Sequence, residues 1–137
     1  MRTEGTFAPE TWDEARSRYE SVGSTAQTVV REVAKSMDFD REEYDERVTG
    51  DVVETARQAI FAEQLAVHVD DAEGFEAWRD DYPHEVRVAG SDNVDRVAWH
   101  PAPFAGTAVA ATFQNEPEAA VATTRRMAFN RIYREEL

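Results

Sequence analysis

The chain has 137 residues, with 15 basic and 28 acidic side chains, a net charge of −13 and no cysteine. Its length predicts one domain spanning residues 1–137, and the lack of thiols excludes disulfides, cysteine nucleophiles and cysteine-ligated zinc. No apolar run approaches the roughly 18 residues of a membrane span, and no basic N-terminal region precedes a hydrophobic stretch. We therefore expect a soluble cytoplasmic protein.

The balance of residue types favours a salt-rich cell. Lys35 is the only lysine, and the chain has 21 Ala and 15 Val but only 2 Leu and 2 Ile. At about 1 M salt the Debye length falls to roughly 3 Å, so the repulsion among many carboxylates is nearly screened. A GC-rich genome would also raise Arg, Ala and Val, but it would not explain the excess of acids. The composition predicts a halophilic protein with an acidic surface, and a merely acidic mesophilic protein is the alternative.

Four helices are predicted in the first part of the chain, at about 11–22, 25–37, 41–48 and 52–63. Capping-box spacing occurs at Thr11 with Glu14, Ser24 with Gln27, and Asn115 with Glu118. Asp40 resembles another N-cap, and Phe39 and Tyr44 have the spacing of a hydrophobic staple across it. The second helix gathers its apolar residues on one face: Ala26, Val29, Val30, Val33, Ala34 and Met37.

The periodicity changes after Gln64. Alternating residues predict a strand at 65–70, helical spacing returns over 72–82, and a hairpin is indicated from Val86 to Trp99 through a turn at 90–93. The uncharged segment 107–113 predicts an interior strand, and a closing helix follows at about 116–135. The fold class is α+β, with a helical part at about 1–63 and a β-α-β-β-β-α part at about 64–137. We expect a mostly antiparallel sheet of about four strands.

The histidines are the candidates for metal ligation. His68 and His100 occupy strand positions whose neighbours are predicted to point inward, so both are expected on the opposite face. If their strands are adjacent, the imidazoles could meet, with Asp70 or Glu63 as a third ligand. No H-x-x-x-H spacing supports such a site, and satisfied surface or interface groups are the more common role for isolated histidines. We therefore expect no metal.

No recognised catalytic or cofactor motif occurs. The serines form no G-x-S-x-G elbow, and the glycines form neither G-x-G-x-x-G nor a P-loop, so no nucleotide or other cofactor is expected. With 28 acids, neighbouring carboxylates favour a solvated face over an acid–base pair. Catalytic residues stay unknown, and the sequence favours a non-enzyme.

Arginines dominate the closing helix. Arg125 lies within its apolar face and is expected to pair with a buried or half-buried carboxylate, in a structural, dimer-contact or anion-binding role. Arg126, Asn130 and Arg134 form an i, i+4, i+8 stripe, with Arg131 at its edge. These arginines pair with the chain's own acids or bind an acidic partner, such as a second copy.

The last third of the chain is electrically neutral. Residues 101–137 carry 4 basic and 4 acidic groups, whereas residues 1–100 carry 11 and 24. This segment is either the most buried part or an interface, since interface cores are depleted in charge. We expect a homodimer through this region.

Several segments resemble an uncharacterised family of small haloarchaeal proteins: Phe7-Ala8-Pro9-Glu10-Thr11, Phe39-Asp40-Arg41-Glu42-Glu43-Tyr44, Glu46-Arg47-Val48 and Phe113-Gln114-Asn115-Glu116-Pro117. The resemblance covers essentially the whole chain. It implies a haloarchaeal origin and implies no activity, ligand or site residue.

We therefore expect a cytoplasmic protein that acts without catalysis through protein–protein contacts. The alternative is a small-molecule-binding protein or enzyme with a pocket near His68, His100 and Arg125. The α-β-β-β-α order over 72–137 also occurs in double-stranded-RNA-binding domains. Here, however, the last helix begins with Glu116-Pro117-Glu118, which would repel phosphate. A nucleic-acid partner is disfavoured, and no membrane partner is expected.

Overall fold

The computed structural model describes all 137 residues, Met1–Leu137. The elements follow the order β1 (Arg2–Glu4), α1 (Trp12–Ser21), α2 (Gly23–Ser36), α3 (Arg41–Arg47), α4 (Gly50–Gln64), β2 (Val67–Asp71), α5 (Ala72–Asp80), β3 (Glu85–Ala89), β4 (Arg96–Ala102), β5 (Thr107–Phe113) and α6 (Pro117–Ala128). A 3₁₀ turn over Pro103–Ala105 joins β4 to β5, and a π-helical segment over Phe129–Tyr133 extends α6. The predicted α+β class is confirmed. None of the helices combines the length and apolarity needed to cross a bilayer.

The sheet has five strands in the order β1-β2-β4-β5-β3. The pairs β1–β2, β2–β4 and β4–β5 are antiparallel, and β3–β5 is parallel. The prediction of a mostly antiparallel sheet is confirmed, with one strand more than expected. The additional strand, β1, has the sequence Arg-Thr-Glu, which carries no apolar alternation that could have revealed it.

The predicted hairpin between β3 and β4 is wrong. β3 pairs with β5 instead, with Val86 opposite Ala108 and Val88 opposite Ala110. The chain does turn at Gly90, where φ is +107°, but β5 is the partner of both β3 and β4. A local turn signal cannot reveal this, because the uncharged β5 lies further along the chain and forms a hairpin with β4 through the 3₁₀ turn.

Contacts along the chain divide it into two compact units. The sheet unit comprises residues 1–15 and 62–137, and the helical unit comprises residues 16–61. In the sheet unit, β4 and β5 are buried on both faces. The face next to α6 buries Val67, Val69, Ala98, Phe113, Ala120 and Val121, and the face next to α5 buries Phe75, Val97, Trp99 and Ala110. The uncharged stretch that includes β5 is therefore interior, which accounts for much of its neutrality without an interface.

The helical unit has a shallower core. Its buried apolar side chains are Tyr19, Val22, Ala26, Ala34 and Phe61. The Tyr19 hydroxyl donates to Glu54, Arg57 Nε donates to the Tyr19 carbonyl at 2.8 Å, and the Arg57 guanidinium lies 4.4 Å from the Tyr19 ring centroid. Of the apolar residues that α2 gathers on one face, only Ala26 and Ala34 are buried.

Two of the predicted helix caps are present. Thr11 Oγ1 accepts from the Glu14 amide at 3.1 Å, and the Asp40 carboxylate accepts from the Glu43 amide at 2.8 Å. The predicted cap at Ser24 is wrong because α2 follows α1 almost directly and begins at Gly23, with Val22 as its N-cap. The predicted cap at Asn115 is also wrong. There α6 starts at a proline, which lacks the N–H that a first-turn residue would otherwise leave unsatisfied.

Candidate functional site

His100 lies at the centre of the sheet unit, on β4, and is 1 % exposed. Its Nδ1 is 2.7 Å from the Ala66 carbonyl oxygen, and its Nε2 is 2.7 Å from the Tyr133 hydroxyl. A carbonyl can only accept, so Nδ1 carries the proton and Nε2 accepts from Tyr133. Both ring nitrogens are thus used in bonds to the protein.

Burial lowers the pKa of His100 to about 4 and raises the pKa of Tyr133. The imidazole is therefore neutral at pH 7, in agreement with its bonding pattern. This histidine links β4, the start of β2 and the π-helical segment. Its surroundings are those of a satisfied structural group, because neither nitrogen is open to a metal or a substrate proton.

His68, on β2, is half-buried. Its Nδ1 lies 2.8 Å from Thr3 Oγ1, and its ring centroid lies 5.6 Å from that of Trp99. Burial lowers the pKa of His68. The Trp99 indole N–H, by contrast, is buried without a hydrogen-bond partner. His68 therefore belongs to the aromatic side of the sheet, next to α5.

The two histidines project from opposite faces of the sheet. His68 pairs with Trp99 across β2 and β4, so these two side chains share a face, and the next residue, His100, points to the other. The expectation that both histidines point away from the core is wrong for His100, because β4 is buried on both sides. The imidazoles do not meet. No group of three His, Asp or Glu side chains is arranged to hold a metal ion.

Arg125 projects from α6 to the junction between α4 and β2. Its Nε donates to the Leu65 carbonyl at 3.0 Å, and its Nη1 lies 3.3 Å from Glu63 Oε1. The side chain of Arg125 is 12 % exposed and that of Glu63 is 76 % exposed, so the acid is on the surface rather than half-buried. Arg125 and His100 thus bind the consecutive carbonyls of Leu65 and Ala66.

Gly5 closes this junction from the other side. A Cβ at this position would lie 2.5 Å from the Leu65 carbonyl oxygen and 2.8 Å from Arg125 Nη2. Gly5 also has φ of +88°, a conformation that L-residues with side chains rarely adopt. The site around Leu65 is therefore a tightly packed backbone junction. The sequence predicted that Arg125 is paired but did not reveal its backbone partner.

The remaining predicted interaction residues are exposed. Arg126, Arg131 and Arg134 lie on the surface of α6 and the π-helical segment. The Arg134 guanidinium lies 5.7 Å from the Phe129 ring centroid. The fold does not bring these three arginines together with Arg125, whose side chain turns toward Leu65.

The surface of the sheet unit includes two cavities that lie away from the predicted pocket. One, of about 480 Å³, lies between the ends of β3 and β5 and the start of α6, and is lined by Ala89, Phe113 and Ala120 among others. The other, of about 290 Å³, lies beside α5 and includes Phe75 and Arg79. Neither is lined by His68, His100 or Arg125. The three residues named for a ligand pocket therefore do not share either cavity.

Residues 6–134 match the model of a family of unknown function, DUF5809. The chain belongs to this family. The matched range includes the helical unit and almost all of the sheet unit, which confirms the expectation of an uncharacterised family. No curated protein and no solved structure matches the chain.

Proposed function

We propose that this protein has no catalytic role and acts through protein–protein contacts. One observation carries the proposal: α2 and its C-cap residue, Met37, present a stripe of uncovered apolar side chains. Val29 is 43 % exposed, Val33 is 53 % exposed and Met37 is 58 % exposed. We call these three residues the α2 stripe.

The α2 stripe is continuous over two helical turns, because residues at i, i+4 and i+8 lie on one face of a helix. Single exposed apolar residues are ordinary, whereas an aligned group on one helix is typical of a contact surface. In molar salt the exposure of such a stripe is more costly, since excluded salts strengthen the driving force for apolar burial. The occupant we propose is an amphipathic helix of a partner protein, which would contribute its own apolar face.

The cell type forms part of the proposal. We propose a haloarchaeal cytoplasm, where salt screens the net charge of −13. The acidic surface supports this setting, and so does the near absence of lysine.

We also propose that the protein forms a homodimer. The electrical neutrality of residues 101–137 does not by itself support a homodimer, because β4 and β5 are interior strands. The exposed Arg126 and Arg131 still support contact with an acidic surface, and every other copy of this chain offers one. The alternative, a ligand site near His68, His100 and Arg125, gains no support from the geometry, since these side chains face different directions and bind the protein itself.

The absence of cysteine makes a sharp test of the α2 stripe possible, because an introduced thiol is unique. Val33→Cys would be labelled with a maleimide in the purified protein and in intact haloarchaeal cells that express it. We expect labelling in cells to be about tenfold slower than in the purified protein, because a bound partner excludes the reagent. The matched control is Thr28→Cys, an exposed position on a different face of the same helix. If Val33→Cys reacts at the same relative rate as this control in both settings, the proposal is wrong.

A further inference from the structure

β3 is an edge strand with an open side. It is last in the sheet order, and its only strand partner is β5. Glu85, Arg87 and Val88 are exposed, and Val88 is 39 % exposed. Such an edge presents unpaired backbone N–H and C=O groups that can bind another strand.

The direction of the backbone groups of β3 follows from one hydrogen bond. The Ala89 carbonyl accepts from Thr112 Oγ1 on β5 at 3.3 Å, so it faces into the sheet. Backbone groups alternate sides along a strand, and therefore Glu85 and Arg87 also direct theirs toward β5. Val86 and Val88 direct their N–H and C=O groups to the open edge. These are the groups that an added strand would bind.

The side chains of β3 carry opposite charges two residues apart. Glu85 Oε1 lies 3.6 Å from Arg87 Nε, and the side chains are 65 % and 54 % exposed. Both residues project from the same face of the sheet, because they are separated by one residue. An antiparallel strand with the same sequence can therefore place its arginine opposite Glu85 and its glutamate opposite Arg87.

We propose that β3 pairs with β3 of a second copy, antiparallel and centred on Val86. This proposal rests on the proposed homodimer and names its contact. In this register Val86 lies opposite Val86 of the second copy and exchanges two backbone hydrogen bonds with it. The open-edge groups of Val88 then reach the residue just before β3, His84, of the second copy. The two sheets join into one continuous sheet across a two-fold axis.

Charge selects this register over its neighbours. A centre on Arg87 would place the two Arg87 side chains opposite each other, and a centre on Glu85 would do the same with the two glutamates. Like charges directly opposite one another destabilise a strand pair, whereas opposite charges stabilise it. Centring on Val86 puts each Glu85 opposite an Arg87 at a non-hydrogen-bonded position, where facing side chains approach most closely.

The edge also differs from those that resist association. Edge strands commonly avoid pairing by being short or by carrying charged side chains, prolines or bulges. β3 contains no proline, and its two charges complement those of a second copy. Salt is required as well, because two chains of net charge −13 repel each other in dilute buffer.

The first experiment measures mass by light scattering in 2 M KCl for wild type and three variants. We expect a wild-type dimer whose dissociation constant rises about tenfold or more in Glu85→Arg and in Arg87→Glu, since each places like charges in contact. The double variant Glu85→Arg/Arg87→Glu should recover wild-type affinity, because it exchanges the two charges. The matched control reverses the exposed Glu32–Lys35 pair on α2 and should leave the dimer unchanged.

The second experiment tests the register by disulfide formation. Glu85→Cys mixed with Arg87→Cys should form a cross-linked heterodimer, because these positions face each other, and each variant alone should cross-link several-fold less. A wild-type monomer in 2 M KCl would overturn the β3 contact together with the homodimer but would leave the α2 stripe and its labelling test untouched. A dimer whose dissociation constant does not change in the β3 charge-reversal variants would overturn the β3 contact alone.

Discussion

The sheet unit and the helical unit differ in both burial and charge. The sheet unit buries most of β4 and β5 and also Tyr133, and Trp99 of β4 and Tyr133 are each 0 % exposed, whereas the helical unit buries only five apolar side chains. The sheet unit carries 8 basic and 18 acidic groups, a balance of −10, and the helical unit carries 7 and 10, a balance of −3. The excess charge is thus placed mainly on the unit with the deeper core. Repulsion is best tolerated where burial is greatest, and the shallow unit keeps a nearly balanced surface.

The largest expected effect is that of salt. Between 0.1 and 2 M KCl we expect the melting temperature to rise by roughly 10 °C or more, equivalent to about 2–3 kcal/mol at this chain length. Trp12, Trp78 and Trp99 all lie in the sheet unit, so tryptophan fluorescence reports on that unit, while far-UV circular dichroism reports on both. Two separate melts would contradict the prediction of a single domain. A melting temperature that does not change with salt would contradict the halophilic interpretation.

The second effect tests the backbone junction of the sheet unit. Gly5→Ala should destabilise the protein by about 3 kcal/mol, because the new methyl group meets the Leu65 carbonyl and φ is positive at this position. The control is Gly50→Ala, at the start of α4, where a Cβ meets nothing within 4 Å. Urea unfolding of both variants measures the difference. Equal stabilities would show that the junction yields easily.

The third effect is acid sensitivity arising from His100. Its folded pKa of about 4 lies below the ordinary 6.5, so the unfolded chain binds a proton more readily. The contribution of neutral His100 to the free energy of unfolding is complete above pH 6.5. It is lost as the pH falls toward 4, by about 3 kcal/mol in total. His100→Gln cannot take up this proton, so its unfolding free energy should fall less steeply with pH over this range. If the unfolding free energies of wild type and His100→Gln fall equally steeply with pH, His100 is not the group that takes up this proton.

The smallest effect concerns the helical unit. Asp40→Ala should cost about 1 kcal/mol, because the Glu43 amide loses its acceptor. Glu42→Ala, at an exposed position of the same helix, should cost much less. Chemical denaturation monitored by circular dichroism would compare the two. Equal losses would mean that α3 does not depend on its cap.

Much of the helical part was predictable because its signals are local. Asp40 and Thr11 cap their own helices, so a few neighbouring residues contain the information. The burial of α2 was not predictable in the same way. Periodicity identifies an apolar face but does not show whether the chain covers it, and Val33 and Met37 remain exposed.

Predicting the strand pairing of the sheet requires information from residues that are distant in sequence. The pairing of β3 with β5 depends on segments separated by the whole of β4, which no turn signal records. The opposite orientations of His68 and His100 depend equally on a central strand buried on both faces. Arg125 was predicted to be paired because a charge on an apolar face needs a partner. Its main acceptor is a backbone carbonyl, which sequence patterns do not reveal.

The position of β1 has a consequence for the order of folding. Thr3 meets His68 across 65 residues, whereas β4 turns into β5 with Ala102 opposite Thr107. Loop-closure entropy grows with the logarithm of this separation, so closing β1 onto β2 costs roughly 2 kcal/mol more than closing the β4–β5 turn. We therefore expect the sheet to grow outward from the β4–β5 hairpin, with β1, its first strand in sequence, joining last.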